Sequence, residues 1–247
     1  MLSEEAKRKL RLLNIGEYIE AVEMQEKDPT TMGMPFEDRF QMATDHVYQC
    51  KNNARVKNLI KNAKFRLPNA DVHDILYVKG RPLSRESVLE ASTCDFVDNN
   101  KSVIIQGYPS SGKTFLACAI GKETCRCLYR TRYVRVPDLL DEFNQKSLTP
   151  GGKLKVLTKY SNFKVLILDE WLTRDTIYTR EELDFLFELS ERRYNVASTI
   201  FCSLRHHDEW VRFLGGGTYA ESIAERYKYN VISFETGDKN MRAIYGA

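Results

Sequence analysis

No stretch of this 247-residue chain approaches the run of about 18 uninterrupted apolar residues that a membrane-crossing helix needs. It opens with Met1-Leu2-Ser3-Glu4-Glu5, without the basic-then-apolar pattern of an export signal. These two absences predict a cytoplasmic protein with no membrane partner. Cysteine is sparse and scattered, at Cys50, Cys94, Cys118, Cys125, Cys127 and Cys202. Only His46 with Cys50, Cys125 with Cys127, and His206 with His207 lie close enough in sequence to share a metal, and none completes the four ligands of a zinc site. Free thiols packed as small apolar groups in a reducing compartment are the expectation. An excess of one charge is lacking too, since 37 Lys and Arg stand against 34 Asp and Glu, a formal net of +3. Neither repeats nor low-complexity tracts occur. A hydrophobic share of 43% with 29% charged residues excludes disordered and fibrous classes. The length suits one domain of ordinary size plus a smaller appendage.

Residues 1–68 read as a helical N-terminal domain. A first segment runs from Ser3 to Asn14, breaks at Ile15-Gly16, and is followed by a helix from Glu17 to Lys27 that Asp28-Pro29 ends. A third helix starts near Pro35 and sets Phe40, Ala43, Val47, Cys50 and Ala54 at three- and four-residue steps, then continues or restarts with Val56, Leu59, Ile60 and Ala63. Arg66-Leu67-Pro68 closes the region. Residues 69–247 form the second domain, beginning with a mixed lead-in that turns at Gly80-Arg81-Pro82. After Asn100 the pattern changes to short β-rich runs: Val103 to Gln106, Tyr133 to Val136, Val165 to Leu168, Thr199 to Cys202 and Val231 to Phe234. The stretches between them are long enough for helices, which predicts an α/β doubly wound parallel sheet of about five strands. Thr179-Arg180-Glu181-Glu182 supplies a capping box for one of those helices, and Gly215-Gly216-Gly217 reads as a turn.

Gly107-Tyr108-Pro109-Ser110-Ser111-Gly112-Lys113-Thr114 follows the first strand directly and precedes a helix beginning near Phe115. This is the G-x-x-x-x-G-K-[ST] phosphate loop in the context its mechanism requires. Backbone N–H groups and the helix N-terminus attract phosphates, Lys113 reaches the β and γ oxygens, and the Thr114 hydroxyl ligates Mg²⁺. Four apolar residues, Val165 to Leu168, then lead into Asp169-Glu170. A buried strand ending in acid fits the carboxyl edge of such a sheet, where ligands bind. Asp169 would hold Mg²⁺ through water and Glu170 would polarise the attacking water as general base.

With these elements the chain resembles AAA+ P-loop ATPases. The surrounding blocks narrow the resemblance to IstB-type transposition helper ATPases of insertion sequences, relatives of DnaC-type helicase loaders. The blocks are Lys64-Phe65-Arg66-Leu67-Pro68, Ser92-Thr93-Cys94-Asp95-Phe96, Phe115-Leu116-Ala117-Cys118-Ala119, Arg132-Tyr133-Val134-Arg135, Leu166-Ile167-Leu168-Asp169-Glu170-Trp171, Ser198-Thr199-Ile200 and Asn240-Met241-Arg242. The resemblance implies ATP and Mg²⁺ as cofactors, self-association into an ATP-dependent oligomer, duplex DNA and a transposase as partners, and no C-terminal helical lid. It also implies roles for Ser203 as a polar sensor of the γ-phosphate, Arg226 as an arginine finger given to a neighbouring subunit, and Arg242 as a second sensor. Many relatives carry glycine where this loop has Ser110, which puts the loop's fine geometry in question. A helicase loader is the alternative reading on the same core. A DNA-binding module with a relic ATP site is disfavoured by the presence of Lys113, Thr114, Asp169 and Glu170 together.

Positive charge is concentrated in three acid-free runs, Lys51 to Arg66, Arg126 to Arg135 and Lys146 to Lys164. In the first, Lys57, Lys61 and Lys64 fall on one helical face, away from Val56, Leu59, Ile60 and Ala63. These three, with Lys153, Lys155 and Lys159 of the third run, are the candidate DNA contacts.

Overall fold

Ser3 caps the first helix, its hydroxyl accepting the Ala6 N–H at 3.2 Å, and α1 runs over Glu4–Leu12 with acids in its first turn and bases in its last, as the helix dipole favours. Helix α2 spans Glu17–Lys27. Asp28 does more than end it: the carboxylate accepts the Thr30 N–H at 3.0 Å and so starts a short helix, α3, over Pro29–Met32. Helix α4 runs unbroken through Phe36–Ala63. The computed structural model describes residues 2–173 and 178–245. The chain divides into two units, Met1–Asn58 and Leu59–Ala247, so the division falls inside α4 and ahead of Arg66-Leu67-Pro68.

In the second unit a lead-in carries α5 (Arg85–Ser92) and α6 (Asp95–Asp98). Strands and helices then alternate: β1 (Ser102–Gln106), α7 (Lys113–Arg126), β2 (Thr131–Arg135), α8 (Val136–Ser147), α9 (Gly152–Ser161), β3 (Val165–Trp171), α10 (Arg180–Arg193) and β4 (Ser198–Ser203). They are followed by α11 (Trp210–Phe213), α12 (Gly217–Arg226), β5 (Val231–Glu235) and α13 (Met241–Tyr245). Val136 opens α8 instead of ending the second strand, because the fixed φ of Pro137 suits the first turn of a helix. The expected capping box is present, with the Glu182 N–H on Thr179 Oγ1 at 3.2 Å and the Thr179 N–H on Glu182 Oε2 at 3.0 Å. Gly215, Gly216 and Gly217 all take positive φ where α11 turns into α12.

The strands form one parallel sheet in the order β2-β3-β4-β1-β5 among the described residues. Successive side chains alternate between its two faces. Val103, Ile105, Val165, Ile167, Ile200 and Cys202 pack on one side with Leu116, Ala117 and Ile120 of α7. Ile104, Leu166, Leu168 and Phe201 pack on the other with Leu139, Leu186 and Ile223. Covering both faces is what makes the strands near-continuous apolar runs. No helix among the described residues is long and apolar enough to cross a membrane.

Candidate active site

The loop between β1 and α7 is shaped by three positive-φ residues. Gly107 (φ +144°) lies so close to Thr236 that a Cβ there would collide with its hydroxyl, and at Gly112 (φ +94°) a Cβ would stand 2.9 Å from an Arg81 nitrogen. Ser110 adopts φ +60°, so serine does take the left-handed backbone, at a cost of about 1 kcal/mol. A hydrogen bond helps to hold it, because the Met241 N–H donates to the Ser110 carbonyl at 2.9 Å. The loop is also tied to the segment after β5: Tyr108 N–H donates to Gly237 O at 3.1 Å, and the hydroxyls of Ser111 and Thr236 lie 2.6 Å apart. Arg81 completes the clamp by donating to the Ser111 carbonyl at 2.9 Å and to Leu76 O at 2.7 Å.

Lys113 begins α7, and its ammonium donates to the carbonyls of Gly107 (2.9 Å) and Tyr108 (2.6 Å). Burial draws its pKa below the usual lysine value. Beside the loop lies a cavity of about 330 Å³ lined by Ser110 to Leu116, by Leu67 and Ile75 of the lead-in, and by Met241 and Tyr245 of α13. The rings of Phe115 and Tyr245 stack with centroids 6.0 Å apart. An apolar slot thus adjoins a loop of backbone donors at a helix start, which suits a flat heterocycle joined to phosphates.

Across the loop, Thr114 Oγ1 donates to Asp169 Oδ2 at 2.9 Å. Asp169 is buried, and it also accepts from the Tyr133 hydroxyl at 2.6 Å and the Glu170 N–H at 2.9 Å. A hydroxyl and a carboxylate meeting at the phosphate loop form an all-oxygen donor set, the kind that Mg²⁺ takes when phosphates and water complete its shell. The pairing of β3 with β4 shifts register between Leu168 and Trp171, and Glu170 sits in the irregularity at φ +59°. A bulge of this kind re-aims a side chain at a strand end. Here the Glu170 carboxylate is gripped by Arg135, with Nε at 2.9 Å and Nη2 at 2.7 Å, and by Arg66 at 3.1 Å. The Arg135 hydrogen bond leads the effects that hold its pKa below the ordinary glutamate value.

Residues 7–244 match the family model described as IstB-like ATP binding protein. The chain belongs to this family. The putative ATP-binding protein of insertion sequence IS1162 from Pseudomonas fluorescens is 27% identical to this chain over 171 residues, covering 69% of this chain and 74% of that one. AMPPCP-bound DnaA from Aquifex aeolicus shares the fold with a TM-score of 0.56 at 21% identity, over 71% of this chain and 52% of that one. A DnaC helicase loader does so with a TM-score of 0.54 at 17% identity, over 68% and 96%. The chain therefore has the AAA+ fold that these proteins share.

Of the remaining site residues in this IstB-like chain, Arg242 joins the cavity lining. Ser203 does not. Its buried hydroxyl donates to the Trp171 carbonyl at 3.0 Å and accepts the Arg205 N–H at 3.0 Å, so it braces the bulge that carries Glu170. Arg226 pairs with Glu191 and stacks over the Phe187 ring at 4.9 Å. It lines a small recess with Asn100, Ser102, Asn195 and Asn230, which flank the amino ends of the strands. Lys57 and Lys61 are exposed on α4, but Lys64 follows the helix end at Ala63 with φ +59°, so the expected single helical face stops at Lys61. In the third basic run, Lys153 meets Glu181 at 3.0 Å and Lys159 meets Glu142 at 2.6 Å, while Lys155 is exposed. Reading that run as acid-free missed these partners because they come from α10 and α8.

Sequence reasoning also gave no role to Arg66, Arg81, Tyr133, Arg135 or Tyr245. Arg66, Tyr133 and Arg135 lay within the blocks that carried the resemblance, and the basic runs ending at Arg66 and Arg135 pointed to charge but not to Glu170.

Proposed function

We propose that this protein is a cytoplasmic transposition helper that assembles on duplex target DNA, hydrolyses ATP with Mg²⁺, and recruits or stimulates a transposase. The observation that carries the ATPase reading is the convergence of Lys113, Thr114, Asp169 and Glu170 at the carboxyl edge of the sheet. Lys113 and the loop N–H groups bind the phosphates, and Thr114 with Asp169 would hold Mg²⁺. The ion would supply charge neutralisation at the β and γ oxygens. Glu170 orients and polarises the attacking water once Arg135 and Arg66 release its carboxylate. Insertion-sequence relatives favour the helper reading. The helicase loader is a likeness of fold alone, and co-purification with a replicative helicase in place of a transposase would reverse the choice.

Self-association is supported by where Arg226 stands. It flanks the amino edge of a parallel sheet whose carboxyl edge carries the phosphate loop, and a β1 of five residues separates those edges by roughly 16 Å. One subunit cannot serve its own site with this residue. Arg226→Ala should therefore bind ATP normally yet turn over slowly. Mixing it with Lys113→Ala subunits, which keep the arginine but lack a working cradle, should restore part of the activity. Two inactive variants that stay inactive when mixed, or a fully active monomer at high dilution, would count against the assembly.

The helices before residue 68 are assigned to self-assembly and to DNA or partner binding, with Lys57, Lys61 and Lys64 exposed there. Binding to duplex should be insensitive to sequence, with log affinity falling against log salt by about 0.9 per neutralised phosphate. Changing the three lysines to Gln should flatten that slope and weaken unrelated duplexes equally, leaving ATP affinity unchanged. An unaltered slope removes these three lysines from the DNA path.

A further inference from the structure

Asp169 has an unusually complete set of donors for a carboxylate at a strand end. Oδ1 takes the Glu170 N–H at 2.9 Å, and Oδ2 takes two hydroxyls, Thr114 at 2.9 Å and Tyr133 at 2.6 Å. The third donor comes from β2, the strand beside β3, where Tyr133 pairs with Ile167 and Arg135 pairs with Asp169. Tyr133 is itself buried, and its ring belongs to the core on the α7 side of the sheet. Phenylalanine would fill that volume equally well. What tyrosine adds is a hydroxyl inside the core that donates to one carboxylate oxygen and also meets the Arg66 guanidinium.

We propose that Tyr133 is a positioning residue for the divalent cation that accompanies the nucleotide. Its hydroxyl fixes the Asp169 carboxylate and gives Oδ2 a donor that does not depend on Thr114. Of the two hydroxyls on that oxygen, Thr114 belongs to the phosphate loop and is the one that would ligate the cation. Without Tyr133 the carboxylate would keep the Glu170 N–H and the weak Cys202 thiol contact, but no hydroxyl donor, when Thr114 turns to the ion. Buried polar groups are rarely left short of partners, and outer partners of metal ligands set ligand orientation. The inference rests on reading Thr114 and Asp169 as the cation-binding pair.

The test uses the full chain with Tyr133→Phe, Asp169→Asn as reference, and AMPPCP as the nucleotide. Affinity is measured by calorimetry in EDTA and again with Mg²⁺, and Mn²⁺ binding to the protein–AMPPCP complex is followed by electron paramagnetic resonance. Tyr133→Phe should match the parent in EDTA but bind Mn²⁺ about 10- to 100-fold more weakly and lose the corresponding gain from Mg²⁺. A merely structural tyrosine would leave that metal-dependent gain untouched, or would lower affinity equally with and without metal, and either result overturns the proposal. So would unfolding of the Phe variant at the assay temperature, since it would show the hydroxyl to be needed for the fold. If Asp169→Asn keeps the parent's metal gain, the cation-binding pair itself has been misread. If Asp169→Asn loses it and Tyr133→Phe keeps it, only the role of Tyr133 falls.

Discussion

Glu170→Gln should lower ATP turnover by about 10²- to 10⁴-fold while ATP binding and assembly on DNA remain intact. That range is what a positioned general base contributes. The amide fills the same space at the bulge but cannot take a proton from water, and the phosphate loop makes no hydrogen bond to this side chain. The two guanidiniums sharpen the expectation. In the parent, Arg135 and Arg66 grip the carboxylate, so on the proposed mechanism freeing Glu170 would form part of the turnover rate; glutamine lacks the charge and loosens that grip without gaining a base. Phosphate release at saturating ATP, set beside affinity for a fluorescent ATP analogue, separates the two effects. Unchanged turnover would remove Glu170 from the chemistry.

Lys113→Ala acts earlier, on binding itself. Its ammonium is the one charged group rooted in the loop, and it already reaches two loop carbonyls. Hydrogen bonds to charged groups contribute about 1.5–3 kcal/mol each, so losing one such contact to phosphate should weaken ATP roughly 10- to 150-fold. The loop should keep its shape, because Arg81, Thr236 and Met241 hold it from outside. Calorimetric titration with ATP checks this, and parental affinity in the variant would contradict the phosphate-loop reading. Glu170→Gln and Lys113→Ala therefore fail in opposite ways, one at turnover and the other at affinity.

The parts of the site that were legible in sequence are those written in local order. The phosphate loop is contiguous, and its strand and helix follow from a change of period at Gly107. Asp169 and Glu170 were legible because a run of four apolar residues has to end somewhere near the carboxyl edge. The strands were placed within a few residues of their observed ends, with β3 extended to Trp171 by the bulge. What stayed hidden depends on contacts between distant segments. Arg135 meets Glu170 only because β2 pairs with β3 in one particular register. Arg66 and Tyr245 reach the cavity from opposite ends of the second unit. Nothing local distinguishes them from solvated arginines or a core tyrosine. Lys153 and Lys159 show the same effect in reverse, since each meets an acid from another helix in a run that carries none of its own.

The pairing of β1 has a consequence for how the protein is made. Both neighbours of β1 follow it in the chain: Val103 pairs with Ile200 of β4, and Ser102 pairs with Val231 of β5. Thr236 and Met241, which brace the phosphate loop, come later still. A ribosome adding about 5–20 residues per second needs on the order of ten seconds to travel from the loop to its braces. Through that interval the nascent chain carries a complete phosphate-loop sequence with an unfinished cradle, and β1 lacks its β4 neighbour until Ser203 and its β5 neighbour until Glu235 have been made. Nucleotide can stabilise this domain only once Thr236 and Met241 have been made, and until then the unpaired edges of β1 are a place where a chaperone can act.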